Sequence, residues 1–547
     1  MNEETLLTKE ETLNACSGNL IFGSGEFYFS SVETDSRNVK QGSFFVPLIG
    51  EFQDGHKFIP QAVENGATCV FVAEDVYQKN PEYFLDSWEK NQNVKYICVK
   101  NTLTALQNIA EKYVSKFPNL IKLAITGSSG KTTSKEMLVS LLSQKYNVIC
   151  NQGNFNSETG LPLSVFNIRK NHELGIFEMG MNRKNEISEI SKVLKAQYAL
   201  ITNIGTAHIG ILGSRQNIAE EKSNVFNYLS LYKEKNQNAV AFIPKDDDFC
   251  DFLSEKAKSL GTKIVYYGEN SNPHISDVKY LGLKGTGFKI DGIQTLLSIP
   301  GKYNFKNILG AISVAEELGL TSAQIAKGVS SLKSMFGRSQ VLEGKYLVIQ
   351  DCYNANPDSM EKAVDFFSSI SLESLQECQE NHQKTENSQS QAENLENQQN
   401  KFKNLQKIET LSEKSQILMG NSHSSAENPQ NQSENQQKKI LVLGDMLELG
   451  KDSELEHKKL GEICSKSNAD ILIFVGNEIK TSYETVKSSN FKGKLFFFEG
   501  KSDETIEKLS NCIRKNAKTG SCVLIKASRG LALERITKII QKEADFD

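Results

Sequence analysis

Short apolar runs alternate with amphipathic stretches along most of the chain. Residues 123–126, 175–179 and 198–202 have the length and composition of buried strands. The intervals between them carry apolar residues at helical spacing. Strands that alternate with helices in this way predict a mostly parallel sheet with helices on both faces.

The same pattern recurs on both sides of this central region. Residues 43–48 and 69–72 are predicted strands, and residues 58–65 are a predicted helix that ends at Gly66. Four further strands are predicted, over residues 346–351, 439–444, 471–476 and 522–526. We therefore expect an α/β protein of three domains, covering residues 1–117, 118–334 and 335–547.

One long segment of low complexity interrupts the third domain. Residues 371–438 are dominated by Gln, Asn, Glu, Ser and Lys. Such a composition cannot bury enough apolar surface to offset the conformational entropy of ordering the backbone. The sequence predicts a disordered insertion between a helix and a strand, and a role in binding a partner stays open.

Size and charge narrow the class of protein. The 547 residues exceed what one core supports, and the formal net charge of -4 favours neither a nucleic acid nor an anionic membrane surface as partner. The acidic start of the chain, and the lack of any apolar run near 18 residues, predict a cytoplasmic protein with no integral membrane contact. We expect small-molecule substrates and, by default, a monomer.

The ten cysteines are scattered singly along the chain, with no C-x-x-C pair. This spacing favours reduced thiols over disulfide bonds or zinc ligands.

The strongest chemical motif is Gly127-Ser-Ser-Gly-Lys-Thr-Thr133, placed between a predicted strand and a predicted helix. In a phosphate-binding loop, backbone amides of residues 127–131 would face phosphate oxygens, Lys131 would reach the β- and γ-phosphates, and Thr132 would ligate magnesium. The strict pattern asks for glycine where this chain has Ile125. A glycine-rich turn with a solvated lysine is therefore the alternative.

Polar side chains follow the predicted central strands at their carboxyl ends, where ligands bind in such sheets. Glu178 is either a magnesium ligand or a helix cap, and His208 by itself is most simply a structural histidine. Lys222 lies on a helical pattern, where a lysine is ordinarily solvated. In the first domain, Ser36 and Arg37 either hold a diphosphate or belong to a surface turn.

Several longer strings resemble the Mur ligases, the ATP-dependent amide-bond-forming enzymes of bacterial cell-wall precursor synthesis. They include Asn154-Phe-Asn156, Asp351-Cys-Tyr-Asn-Ala-Asn-Pro357, and Leu443-Gly-Asp-Met-Leu-Glu-Leu-Gly450 followed by His457. The resemblance covers nearly the whole chain except the insertion. It implies three domains, with a central P-loop ATPase-like parallel sheet and a Rossmann-like third domain. Four positions depart from the residues usual in the family: Asn224, Tyr303, Cys352 and Ala527.

The resemblance also implies a set of site residues. Those implied to bind ATP are Gly127, Ser128, Ser129, Gly130, Lys131, Thr132, Thr133, Asn304, Asn307, Arg338 and Asp351. Those implied to bind the other substrates are Ser36, Arg37, Asp54, Asn154, Asn156, Tyr353, Asn354 and Asn356. The implied catalytic residues are Lys131, Glu178, His208 and Lys222, and the implied ligands of two magnesium ions are Thr132, Glu178, His208 and a carbamylated Lys222.

The activity that the resemblance implies has three small-molecule substrates: ATP, a UDP-N-acetylmuramoyl-tripeptide and D-alanyl-D-alanine. The tripeptide carboxylate would be phosphorylated to an acyl phosphate and then attacked by the dipeptide amine. Because each substrate would occupy its own domain, we expect closure about hinges near residues 117 and 335.

Two other classes of function stay open from the sequence. One is a sibling ligase that adds a different amino acid, to the same precursor or to folate, although the string at residues 351–357 argues against it. The other is a non-catalytic, nucleotide-gated binding module. Whether the third residue of the tripeptide is lysine or diaminopimelate is left undecided.

Overall fold

A computed structural model describes residues 5–234, 238–371 and 437–542. The predicted insertion at 371–438 lies outside the described residues except at its two ends. The strands of the described residues form four sheets, of five, six, three and six strands. None of the described helices is both long and apolar enough to span a bilayer.

The first domain is built on the five-stranded sheet. Its strands are β1 Asn19–Phe22, β2 Ser31–Glu33, β3 Ser43–Phe45, β4 Ala67–Ala73 and β5 Lys95–Val99. Its helices are α1 Lys9–Cys16, α2 Ile59–Glu64, α3 Glu74–Lys79, α4 Pro81–Glu89 and α5 Thr102–Ser115. The strand order is β1-β5-β4-β3-β2, and β1 is antiparallel to β5 whereas the other pairs are parallel.

The central domain carries a six-stranded, fully parallel sheet of order β11-β10-β9-β6-β8-β7. Its strands are β6 Ile121–Thr126, β7 Val148–Cys150, β8 Leu174–Glu178, β9 Tyr198–Ile201, β10 Val240–Pro244 and β11 Lys263–Tyr267. Its helices are α6 Lys131–Leu142, α7 Gly160–Val165, α8 Glu186–Leu194, α9 Ile209–Leu212, α10 Arg215–Ser223, α11 Ser230–Glu234, α12 Cys250–Ser259, α13 Lys302–Glu317 and α14 Ser322–Ser330. A small antiparallel sheet joins β12 Ile275–Tyr280, β13 Thr286–Ile290 and β14 Ile293–Leu297.

The central sheet is covered on both faces, as its continuous apolar strands predict. Along β6, Leu123 and Ile125 belong to one apolar cluster, whereas Ala124 between them belongs to another. Successive residues of a strand point to opposite faces, so the two clusters lie on the two sides of the sheet.

The third domain holds the second six-stranded sheet, of order β15-β16-β20-β17-β18-β19. Its strands are β15 Gln340–Leu342, β16 Leu347–Asp351, β17 Lys439–Gly444, β18 Ile471–Gly476, β19 Lys494–Glu499 and β20 Cys522–Lys526. Its helices are α15 Pro357–Ser369, α16 Ser453–Ser465, α17 Lys480–Lys487, α18 Asp503–Asn516 and α19 Glu534–Ile540. Only β15 is antiparallel to its neighbour, so the carboxyl ends of β16, β20 and β17 meet at one edge.

The junction between the first and central domains differs from the sequence prediction. Helix α5 contributes Leu106 and Ile109 to the same apolar cluster as Val165 of α7 and Ile190 of α8. A continuous apolar cluster across the boundary resists relative motion. It argues against the hinge predicted near residue 117 and leaves the one near residue 335.

Candidate active site

A cavity of about 660 Å³ lies where the carboxyl ends of the central sheet face those of the third-domain sheet. It is the position at which open parallel sheets bind their ligands. Most of the site residues suggested by the sequence line it: Ser128, Ser129, Gly130, Lys131, Thr132, Thr133, Asn154, Asn156, Glu178, His208, Asn304, Asn307, Arg338, Asp351, Tyr353, Asn354 and Asn356.

Two glycines shape the loop between β6 and α6. Gly127 has a φ of 154° and Gly130 a φ of 79°, a region that side chains disfavour. A Cβ at Gly130 would stand 2.6 Å from Oδ1 of Asn307. Only glycine therefore lets the loop approach α13 this closely.

The free amides of this loop lie farther along than the sequence suggested. The amides of Ser128 and Ser129 are not free. They donate to the backbone oxygen and to Oδ1 of Asn203, at 3.0 and 3.1 Å respectively. The first bond of the helix runs from Ser134 N to Gly130 O, at 2.8 Å. The amides of residues 130–133 precede it, so they form the positive end of α6, which lines the cavity.

Lys131 is held inside this loop. Its Nζ donates to the carbonyl oxygen of Gly127 at 2.8 Å. Burial lowers the pKa of Lys131, and the nearby Glu178 carboxylate acts in the opposite direction. An anionic phosphate beside Nζ would add to the effect of Glu178 and favour the charged ammonium.

Glu178 ends β8 and meets Thr132 across the loop. Its Oε2 accepts from Thr132 Oγ1 at 2.6 Å, and its Oε1 accepts from Asn156 Nδ2 at 2.7 Å. Arg338 of the third domain donates from Nη2 to the same Thr132 oxygen at 2.8 Å. The carboxylate does not cap the helix that follows, because α8 begins at Glu186 and has no side-chain cap hydrogen bond at its N-cap, Asn185.

Lys222 is fully buried, contrary to the solvated lysine that its helical position suggested. Its Nζ has no hydrogen-bond partner among the described residues. Burial first, and then repulsion from Lys131, lower the pKa of Lys222 well below its ordinary value. Both effects shift Lys222 toward the neutral amine, which is the nucleophilic form, while Glu221 and Glu178 oppose them.

His208 adopts a left-handed conformation with φ of 64° at the start of α9. Its Nδ1 lies 3.3 Å from an Oε2 atom of Glu448 in the third domain. Burial lowers the pKa of His208, which favours the neutral imidazole that ligates metals. Within the described residues, no three His, Cys, Asp or Glu side chains form a ready metal cage.

The third domain supplies the other wall of the cavity. Asp351, at the end of β16, pairs with Lys526 at the end of β20 at 2.8 Å. Asn356 caps α15 by accepting from Ser359 N at 2.9 Å. The Tyr353 ring lies under the Arg338 guanidinium, with 4.0 Å between Cζ and the ring centre.

Three cavity residues were missed by the sequence reasoning. Glu448 has a left-handed backbone conformation, with a φ of 68°. Asp358 accepts hydrogen bonds from N and Oγ1 of Thr206, at 2.6 and 2.7 Å. Arg529 lines the cavity just after β20. Glu448 lies inside the string at residues 443–450 that the sequence had already marked, whereas the Asp358 contact depends on tertiary structure.

The first-domain residues suggested by the sequence are not among those that line the cavity. The buried Ser36 hydroxyl donates to Oε1 of Gln61 at 2.7 Å. Asp54 accepts from the backbone amide of His56 at 2.9 Å. Arg37 is largely exposed and pairs with its neighbour Asp35, whose pKa the guanidinium lowers.

Comparison with known proteins gives two family matches. Residues 125–315 match the Mur ligase middle domain, and residues 28–114 match the Mur ligase family, catalytic domain. The chain is also 32% identical over 539 residues to the UDP-N-acetylmuramoyl-tripeptide--D-alanyl-D-alanine ligase of Treponema pallidum, covering 98% of this chain and 100% of that protein.

Solved structures share the fold over nearly the whole chain. A crystal structure of MurF from Acinetobacter baumannii is 25% identical and superimposes with a TM-score of 0.75, covering 99% of this chain and 100% of that one. MurF from Thermotoga maritima, in complex with ADP, is 23% identical with a TM-score of 0.66, covering 94% and 97%.

Proposed function

The chain belongs to the Mur ligase family, and we propose that it joins D-alanyl-D-alanine to a UDP-N-acetylmuramoyl-tripeptide with consumption of ATP. The product is the UDP-N-acetylmuramoyl-pentapeptide of peptidoglycan synthesis. One observation carries the proposal. The phosphate loop with Lys131 and Thr132 faces the third-domain loop with Asn354 and Asn356 across a single cavity.

The chemistry begins with the tripeptide carboxylate. Its oxygen attacks the γ-phosphorus of ATP, the bond to the β-phosphate oxygen breaks, and ADP leaves an acyl phosphate behind. The dipeptide amine then attacks the acyl carbon and loses a proton, and inorganic phosphate departs with the C–O bond electrons. Phosphorylation is needed because oxide is too poor a leaving group for direct amide formation.

The residues at the helix terminus act mainly by position and charge. The free amides at the start of α6 and the Lys131 ammonium would face the phosphate oxygens and neutralise their negative charge during phosphoryl transfer. Arg338, already 2.8 Å from Thr132 Oγ1, would bring a second cation to the same phosphate. In such a site, the protein contributes orientation and charge neutralisation more than covalent chemistry.

The donor set at Thr132 fits magnesium. The hydroxyl of Thr132 and the carboxylate of Glu178 converge within 2.6 Å of each other at the edge of the phosphate loop. Magnesium is usually held by one or two carboxylates together with substrate phosphates, so the small number of acidic groups is no obstacle. Bound there, it would neutralise phosphate charge.

A second ion would be held by His208 and Lys222, once Lys222 carries a carbamate. The orphaned, buried Nζ of Lys222 fits this modification, since a neutral amine attacks carbon dioxide, forms an N–C bond and releases a proton. The carbamate anion would also offset Lys131 nearby. Carbon-13 NMR of protein equilibrated with labelled bicarbonate should show one carbamate signal that Lys222→Ala removes; its persistence would refute the assignment.

A phosphate-release assay across a panel of amines and UDP-muramoyl peptides tests the activity. We expect release only with ATP, a tripeptide precursor and D-alanyl-D-alanine together. Lys131→Ala should lower turnover by about 100-fold or more, since a charge stabiliser of the transferred group is removed. Turnover driven by another amine would indicate a sibling ligase, and nucleotide binding without turnover would indicate a binding module.

Three further properties stay predictions. The substrates are dissolved nucleotides and a small peptide, which supports a cytoplasmic location. A cavity formed by residues of one chain is consistent with a monomer. Neither the net charge nor the cavity favours a nucleic acid.

A further inference from the structure

The dipeptide substrate has a terminal carboxylate that takes no part in the reaction and needs a cationic partner. This inference rests on the proposed function and concerns which residue supplies that partner. Seven lysine and arginine side chains line the cavity: Lys131, Arg215, Lys306, Arg338, Lys362, Lys526 and Arg529.

Most of these cations are already engaged. Lys131 is held inside the phosphate loop, and Arg338 donates to the Thr132 hydroxyl of that loop. Lys526 is buried in its pair with Asp351. Arg215 and Lys306 belong to the central domain, where they pair with Asp248 and Asp246 after β10. Arg529, which also pairs with an acidic residue, and Lys362 remain as the candidates on the third-domain wall.

Arg529 is held in place from two sides. It follows β20, and the preceding Ser528 accepts from Leu447 N at 2.9 Å and donates from its own amide to Asp445 O at 3.1 Å. Its Nη1 donates to Oε1 of Glu534 at 2.6 Å. That single bond uses one of five guanidinium donors, so the fork keeps donors for a bidentate carboxylate.

The two guanidinium groups lie close enough together for one dipeptide to extend from one toward the other. The Tyr353 ring centre lies 4.0 Å from Cζ of Arg338 and 6.0 Å from Cζ of Arg529, so the two guanidinium groups are within about 10 Å of each other. An extended dipeptide spans about 7 Å. Its amine can therefore lie near the reacting phosphate at Arg338 while its carboxylate reaches Arg529.

We propose that Arg529 binds the terminal carboxylate of the incoming dipeptide, and so selects amines that carry a free carboxyl group at that distance. Lys362 of α15 is a weaker fit because a lysine offers a point charge rather than a planar fork.

The experiment compares D-alanyl-D-alanine with its C-terminal amide in the phosphate-release assay. The wild-type protein should prefer the acid by about tenfold or more in kcat/KM, as expected for a charge-assisted bond to a carboxylate. Arg529→Ala should raise the KM for the dipeptide by a similar factor and abolish the preference. The KM values for ATP and the UDP-linked substrate should stay within about twofold.

Two further variants keep the test decisive. Arg529→Gln retains much of the side-chain volume over Tyr353 and replaces Arg529→Ala if the alanine variant is unstable. It should also lose the preference for the free acid over the amide. Lys362→Ala should keep it. An unchanged preference in both Arg529 variants, or its loss in Lys362→Ala, would overturn the inference. No phosphate release from the wild-type protein with D-alanyl-D-alanine would instead refute the proposed function itself.

Discussion

The two junctions of the central domain are built from different chemistry. Against the first domain, it presents a continuous apolar cluster that includes Tyr113 of α5 and Phe166, whose rings are 5.4 Å apart. Against the third domain, it presents mainly polar contacts between side chains. These include Thr206 with Asp358 and His208 with Glu448.

Apolar contact across the second junction is small in the described residues. Leu283 joins the core of the third domain, and the half-buried Ile209 packs against it. The remaining contacts involve groups that the substrates need, such as the Thr132 hydroxyl that Arg338 holds. A nucleotide with magnesium would therefore compete for the contacts that hold the third domain in place.

This difference assigns the two junctions different tasks. The first and central domains should move as one body that presents the UDP-linked substrate to the phosphate loop. The third domain should close on that body and carry the dipeptide with it, since polar contacts exchange with water at little net cost. Closure then depends on the substrates, as expected for a reaction that must exclude water.

The largest expected effect comes from breaking the apolar junction. Phe166→Ala should lower the free energy of unfolding by about 3–5 kcal/mol, because it removes a buried ring and leaves a cavity. Hydrogen exchange should then speed up in both β5 and β8. Phe84→Ala, on the far side of the first domain, is the control and should loosen β5 alone. Faster exchange in β8 alone would mean that the two domains are not coupled.

A substitution in the polar junction should change the catalytic rate and the arrangement of the domains more than it changes stability. Asp358→Asn weakens the charged bonds to Thr206 and should lower kcat by about tenfold, with little change in melting temperature. Small-angle scattering should show a more extended protein. Asp365→Asn, an exposed change on the same helix, is the matched control. A large fall in melting temperature with an unchanged kcat would contradict this view of the junction.

The sequence revealed the strands better than the contacts between them. The apolar run at residues 522–526 coincides with β20, because a strand buried on both faces must be apolar throughout. The burial of Lys222 does not follow from its helical pattern, which alone shows a lysine as solvated; only the family resemblance implied a place for it in the site. The prediction that the amides of Ser128 and Ser129 are free was wrong, because their acceptor, Asn203, follows β9 and is more than seventy residues away in the chain.

Acid should loosen the third domain, and with it the polar junction. His457 accepts from Met446 N at Nε2 and donates to Ser453 O from Nδ1, which fixes the loop that carries Glu448. Burial lowers the pKa of His457 below its ordinary value of 6.5, although neighbouring carboxylates oppose this. The unfolded chain therefore binds a proton that the native state does not, so stability is lost as pH falls through about 6.5.

Urea unfolding of the wild-type protein and His457→Gln between about pH 8 and pH 5.5 measures this effect. The stability advantage of the wild-type protein should shrink toward acid pH, with exchange in β17 and α16 increasing first. If the stability difference between the wild-type protein and His457→Gln stayed constant across this pH range, His457 would not be the cause of the loss of stability in acid.

The smallest expected effect tests whether the apolar junction depends on its few polar contacts. Tyr113→Phe removes the buried bond from Tyr113 Oη to Ile168 O, 2.7 Å long, and should cost about 1 kcal/mol or less. The carbonyl keeps a donor, because Arg169 Nη1 lies 2.9 Å from it. Tyr146→Phe makes the same change within the central domain and is the matched control.

Both tyrosine variants should lose a similar, small amount of stability in urea, with activity unchanged. A much larger loss in Tyr113→Phe would mean that one hydroxyl, and not the surrounding apolar cluster, joins the first domain to the central one. That junction would then resemble the polar one, and the hinge near residue 117 would have to be restored.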